Sequence, residues 1–165
     1  MKRTRLAWLW LFIVLPGFTA AAPGDSDVVR TEHKFARVTF SIGCSAATRN
    51  EDRRDLKRSD RAVGYFPQIE CIDAGKQVEG VKLVAIAIGQ NEKLGIFDVI
   101  LKLDSGSALK LAKLTDQGNP QQLVLLVKGR AVVAGFNEAP FHGDKFFITA
   151  NTLDEARKTA DLFDE

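Results

Sequence analysis

From Lys145 to Glu165 the sequence KFFITANTLDEARKTADLFDE leaves the chain little choice of local structure. Phe146, Ile148 and Ala150 alternate with Phe147 and Thr149 in a β-branched and aromatic run, and a period of two is that of a strand with one face in a core. Asn151 ends the run. Thr152 and, three residues on, Glu155 make a capping box, in which the hydroxyl accepts from the backbone N–H of Glu155 and the carboxylate returns to that of Thr152. A helix therefore begins here. Leu153, Ala156, Ala160 and Phe163 form one apolar stripe, while Asp154, Glu155, Arg157, Lys158 and Asp161 fall on the wet faces. Acids in the first turn suit the positive end of a helix, so Asp154 and Glu155 are accounted for without a catalytic role.

The opposite end carries an export signal. Lys2, Arg3 and Arg5 precede an apolar run from Leu6 to Leu15, which Pro16 and Gly17 break ahead of small residues. A run of about ten apolar residues is too short for a bilayer, which takes about twenty, so residues 1–21 read as a signal peptide cut after Ala21 and not as an anchor. Its removal lowers 23 basic residues to 20 against 21 acidic ones, turning a net charge of +2 into −1. The basic balance of the whole chain thus belongs to the signal, and nucleic-acid binding is not expected. Subtracting 21 from 165 leaves 144 residues, enough for one domain with a proper core. Export to an oxidising compartment, the periplasm, makes Cys44 and Cys71 a structural disulfide, and the pair lacks the C-x-x-C spacing of a redox or metal site.

Residues 22–34 are polar and rich in turn formers, and read as a flexible lead-in. The domain then spans 35–165, with a disulfide-linked part over 35–80 and a second part over 81–165. Phe35 to Ile42 reads as a strand with Val38, Phe40 and Ile42 on one face. Thr48 to Arg61 holds six basic and four acidic residues and one apolar residue, Leu56, and is expected to be a solvated loop or loose helix. Tyr65 to Ile72 reads as a short strand ending at the turn Asp73-Ala74-Gly75. Val81 to Ile88 is almost continuously apolar, as in a strand covered on both faces or central in its sheet, and Gly89-Gln90-Asn91 turns it toward Ile96 to Leu103, its antiparallel partner. On that partner Val99, Leu101 and Leu103 share a face. Asp104 or Ser105 caps a helix with Ala108, Leu111, Ala112 and Thr115 on one side. Gln122 to Val127 and Ala131 to Phe136 then flank Lys128-Gly129-Arg130 as a hairpin. The C-terminal order strand, helix, strand, strand, strand, helix expects an α+β fold, a largely antiparallel sheet with helices packed on one face.

Three runs carry a family resemblance: VILKLDSGSALKLAKLT, QQLVLLVKGRAVVAGFNEAPFHGDKFFIT and NTLDEARKTADLF. In order and in motifs, over about residues 95–165, they resemble the head subdomain of the first periplasmic domain of SecD, an accessory subunit of the Sec translocase. The motifs are Leu114-Thr115 closing the first helix, Gly129 at the hairpin tip, Pro140 in the following segment, Ile148-Thr149 in the last strand and Glu155-Ala156 in the capped helix. The departures are Ala150-Asn151 after the Ile-Thr strand, where such heads often carry Gly, and Phe136 where a small residue is usual. SecD also has membrane helices, whereas this sequence has none after its signal. The resemblance implies an exported head module that meets polypeptide in the envelope.

No residue pattern adds chemistry to this. His33 falls in the lead-in and His142 in the turn Pro140 to Asp144. No G-x-S-x-G elbow accompanies them, and Ser105 and Ser107 sit where helix capping explains them. Two histidines and two bridged cysteines do not make a zinc site, and no Gly-rich phosphate loop follows a strand. No enzyme activity, cofactor or metal is expected. Phe136, Phe141, Phe146 and Phe147 are the surplus: period two sends Phe146 and Phe147 to opposite faces, so both are core only in a sheet covered on both sides. If one face is open, an exposed Phe can hold an apolar peptide segment. The reading is an exported, non-enzymatic module that binds polypeptide. The alternative is a small periplasmic inhibitor or immunity-type protein that blocks one partner through Arg49 to Arg61 or Pro140 to Asp144.

Overall fold

The computed structural model describes residues 28–31, 34–62, 69–116 and 121–164. Residues 1–21, read as a signal, and the lead-in up to 27 lie outside them. The described elements, in order, are β1 (Val28–Arg30), β2 (Val38–Gly43), β3 (Arg53–Asp55), β4 (Cys71–Val81), β5 (Leu83–Asn91), β6 (Ile96–Leu103), α1 (Ser105–Thr115), β7 (Gln121–Val127), β8 (Arg130–Asn137), β9 (Lys145–Ala150) and α2 (Leu153–Ala160). The fold is α+β and every named strand pair is antiparallel. The strands divide between a four-stranded sheet ordered β1-β5-β6-β9 and a five-stranded one ordered β3-β4-β2-β7-β8.

One core joins the two sheets. Val38, Phe40 and Ile42 enter it from β2, Leu123, Leu125 and Val127 from β7, and Ile86, Ile88, Val99, Leu101, Leu103, Ile148 and Ala150 from the four-stranded sheet. Both helices add their buried stripes to the same cluster, Ala108, Leu111 and Leu114 from α1 and Ala156 and Ala160 from α2, with Phe163 following. The Phe40 and Phe146 rings meet edge to face at 4.9 Å, one from each sheet. Alternation in β7 sends Val124 and Leu126 the other way, into a second cluster with Ile69, Ile72, Ala131 and Ala134, against which Leu56 packs. β7 is therefore buried on both faces. The apolar run 81–88 earns its composition instead by a central place, with β5 between β1 and β6.

The helix ends obey the sequence closely. At α1 the cap is Asp104, whose Oδ1 accepts from the Ser107 N–H at 2.7 Å. Hydrogen bonds from the Ser107 side chain and backbone, reinforced by Lys82 and Lys110, hold the Asp104 carboxyl below the usual carboxylate range. At α2 the Thr152 hydroxyl accepts from the Glu155 N–H at 3.1 Å, and Glu155 Oε2 accepts from the N–H of Asn151, one residue before the expected donor. Thr152→Ala is expected to lower stability by about 1 kcal/mol, read as an earlier urea midpoint with an unchanged slope. An unshifted midpoint would mean that packing alone holds the helix. In the β7–β8 hairpin Lys128 (φ 52°) and Gly129 (φ 78°) are both left-handed, as a two-residue type I′ turn requires.

Five expectations need correction. The lead-in is not wholly loose: Val28–Arg30 pairs with Ile88, Ala87 and Ile86, and the Arg30 guanidinium binds Asp161 at 2.7 Å and also Asp164. The chain does not turn at Asp73-Ala74-Gly75, because β4 runs through it. The local signal is still obeyed, since Asp73 Oδ1 accepts from the Gly75 N–H at 3.0 Å. Pairing with β2 absorbs it as a bulge, the register passing from Gln77 opposite Ser41 to Asp73 opposite Ile42. The expected strand Tyr65 to Ile72 begins in the structure at Cys71, and 63–68 lie outside the described residues. The charged segment 48–61 is no plain loop: Arg53–Asp55 pairs with Asp73, Ile72 and Cys71, and Ser59 and Lys57 bond to Ala131 on β8. Finally, β5 continues to Asn91, and the turn falls at residues 92–95 with Gly95 at φ 66°.

Candidate polypeptide-contact surface

β9 settles where its two phenylalanines point. Ile148 and Ala150 lie in the core, and Phe146 on the same side is half-buried against it. Phe147 points the other way and is 54% exposed. Across the sheet Phe147 stands beside Ile100, and Ile100 beside Ala87, so the three share a row on the outer face. Ile100 and Ala87 are half-buried, and the Ile100 side chain leans over Gly89, where an added Cβ would meet its Cδ1 at 3.5 Å. On the other, core-facing side of this sheet α2 packs Ala156 and Ala160.

Polar rows flank the apolar one. On one side Lys145 is opposite Lys102, which is opposite Ala85. On the other Thr149 is opposite Asp98, with the Thr149 hydroxyl donating to Asp98 Oδ1 at 3.0 Å. Asp98, Ile100 and Lys102 alternate with Val99, Leu101 and Leu103. Ile100, an apolar residue set between the charged Asp98 and Lys102 on that face, was thus the sequence signal for this patch, and inspection of the buried face alone misses it.

The other two phenylalanines are elsewhere. Phe141 is half-buried against the core, and its N–H donates to the Thr115 hydroxyl at 2.8 Å, tying the turn to the end of α1. Phe136 is 64% exposed near the end of β8. It stands at a cleft of about 500 Å³ whose wall includes Cys44, Asp73, Lys76, Gln121 and Gln122. Asp73 is buried there but satisfied, with Thr48 Oγ1 donating at 3.2 Å and the Gly75 N–H on its other oxygen. The four aromatic candidates therefore do not form one patch. Two are exposed, on different sheets, and two support the core.

The disulfide Cys44–Cys71 is formed. His142 is exposed beside a shallow groove with Ser105, Leu109 and Phe141, and His33 lies outside the described residues. Among the described residues no three His, Cys, Asp or Glu gather as a metal site, and no helix is long and apolar enough to cross a membrane. In the charged segment Arg49 pairs with Glu51 at 3.2 Å and Asp52 at 2.7 Å, so its charges are partly spent locally. Arg61 borders a groove of about 470 Å³ with Glu155, Lys158 and Asp161 of the C-terminal helical segment.

Compared with known proteins, the chain matches no protein-family model and no curated protein. Among solved structures it is similar to SecDF, described as a membrane component that enhances protein export, with 18% identity and a TM-score of 0.46 over 78% of this chain. The chain spans 61% of the length of that solved chain.

Proposed function

We propose that this protein is an exported, non-enzymatic module that binds unfolded polypeptide, with a role in envelope protein export. The observation that carries the reading is Phe147, more than half exposed on an edge strand and in line with Ile100 and Ala87. β9 pairs with β6 on one side, and among the described residues no other backbone hydrogen bond engages 145–150. An extended segment can add there as a further strand. Its backbone supplies affinity without regard to sequence, and every second side chain meets the Phe147 row. Lys145 and Lys102 beside that row favour segments with acidic flanks. The resemblance of residues 95–165 to a SecD head supports the same partner class.

Burying a Phe side chain is worth about 1.5–3 kcal/mol, which is about a tenfold to hundredfold change in affinity. Phe147→Asp is accordingly expected to weaken binding of a permanently unfolded, labelled polypeptide at least tenfold in a fluorescence titration, with the fold kept by circular dichroism. Equal affinity of the variant and the parent would sink the reading. So would saturable capture of one folded partner with no affinity for unfolded chains, the behaviour of an inhibitor.

A further inference from the structure

We infer that β9 also pairs with β9 of a second copy of this chain, giving a two-fold dimer with one continuous eight-stranded sheet. Natural sheets protect their edges with short strands, charges, bulges or covering segments. β1 and β3 are three residues long, and β3 consists of Arg53, Arg54 and Asp55. β8 carries a bulge opposite β7 and is crossed at Ala131 by Lys57 and Ser59. β9 has none of these devices along Phe146, Phe147, Ile148 and Thr149, and its one charge stands at its first residue. It is the unguarded edge among the described strands.

The register follows from the faces. Residues directly opposed in an antiparallel pair share a face, so outward residues must meet outward residues across the two-fold axis. Centring the axis on Phe147 sets Phe147 against its symmetry mate, Lys145 against Thr149 of the second copy and Phe146 against Ile148. The middle row then reads Ala87, Ile100, Phe147, Phe147, Ile100, Ala87, apolar from one sheet to the other. In each flanking row Lys102 and Lys145 of one copy face Thr149 and Asp98 of the other. Like charges side by side on a sheet are unfavourable, and Lys102 and Lys145 have no ion pair among the described residues. At about 4.8 Å per strand, Asp98 of the second copy lies about 10 Å from Lys145 across Thr149, within reach of a long lysine side chain. Both flanking rows gain this complementarity at once, since a two-fold contact is self-matching. Centring on Ile148 would instead place Phe147 against Thr149 beside Asp98. The charge pattern therefore selects both the second copy and the register.

The same edge cannot hold a second copy and a polypeptide together. Dimerisation would mask the Phe147 row until a polypeptide displaces it, a competition that rests on the polypeptide-binding reading, although the pairing itself does not.

The test uses the purified chain carrying single cysteine substitutions. Phe147 lies on the axis, and directly opposed strand residues fall within disulfide range, so Phe147→Cys is expected to give a covalent dimer under mild copper-catalysed air oxidation. Thr149→Cys, opposite Lys145, and Leu94→Cys, in the β5–β6 turn, should cross-link at least tenfold more slowly. Light scattering of the unmodified chain should show the mass doubling as concentration rises, and Phe147→Lys should stay at monomer mass. Excess unfolded polypeptide should return the dimer to monomer mass. A monomer mass at every concentration, or equal cross-linking of the three cysteine variants, would overturn the dimer while leaving polypeptide binding standing. A dimer that forms in a chain with no affinity for polypeptide would support the pairing and sink the binding reading. A dimer that persists with polypeptide bound would overturn the competition.

Discussion

Truncating Phe40 to alanine is expected to cost about 3–5 kcal/mol, a large part of the roughly 5–15 kcal/mol that holds a domain together. The ring is fully buried at the middle of β2, with Val78 opposite it on β4 and Leu125 opposite it on β7. It also reaches across to Phe146 of the other sheet at 4.9 Å. Removing it opens a cavity where the two sheets meet, and neighbours on three strands cannot collapse into it without breaking register. Urea unfolding should show a lower midpoint with an unchanged slope. Phe146→Ala should cost less, since that ring is only half-buried, and the two losses should fail to add. A coupling of about 0.5–1.5 kcal/mol is the expected value for an edge-to-face pair in a double-mutant cycle. Strict additivity would mean that the sheets are joined by general apolar packing and that this ring pair is incidental.

The parts of this fold that are legible from sequence are those whose signals are local. Thr152 and Glu155 announce the start of α2, Lys128-Gly129 the hairpin, and the spacing of Ala108 and Leu111 the buried side of α1. The parts that are not legible depend on what lies across a sheet. Arg53, Arg54 and Asp55 form a strand with every side chain exposed, so no alternation betrays β3. Its existence rests on backbone bonds to β4, which leave no trace in composition. Asp73 and Gly75 do make their side-chain turn bond, yet β2 and β3 on either side keep the strand going. The continuous apolar run of Leu123 to Val127 reports a strand buried on two faces, but the covering segment on the second face carries one apolar residue, Leu56, and reads as solvated. For the surface the limit is the same. Period two separates Phe146 from Phe147, and which of them faces water depends on whether anything covers the outer side of β6. No residue on β9 itself records that.

Opening the Cys44–Cys71 bond is expected to cost about 3.5 kcal/mol, the chain-entropy value for a loop with the observed sequence separation of 27. The bond joins the end of β2 to the start of β4, where Gly43 is already opposite Ile72 and the Cys44 N–H donates to the Cys71 carbonyl at 3.0 Å. Between the cysteines runs the segment that covers the second cluster. That cover is weak by itself. Its apolar share of residues 48–61 is Leu56, worth at most about 1.5–3 kcal/mol on full burial, against an ordering cost of about 1–2 kcal/mol for each residue held. Beyond the short β3–β4 ladder, its backbone hydrogen bonds include Leu56 to Glu70, Ser59 to Ala131 and Ala131 to Lys57. Reduction, or the double change Cys44→Ala and Cys71→Ala, should therefore act in two steps. The amides of Ser59 and Ala131 should lose hydrogen-exchange protection first, while those of β6, in the other sheet, persist. Global unfolding should then follow at a lower urea midpoint. If both amides and the midpoint are unchanged on reduction, the cover is held by its own contacts and the bond is dispensable.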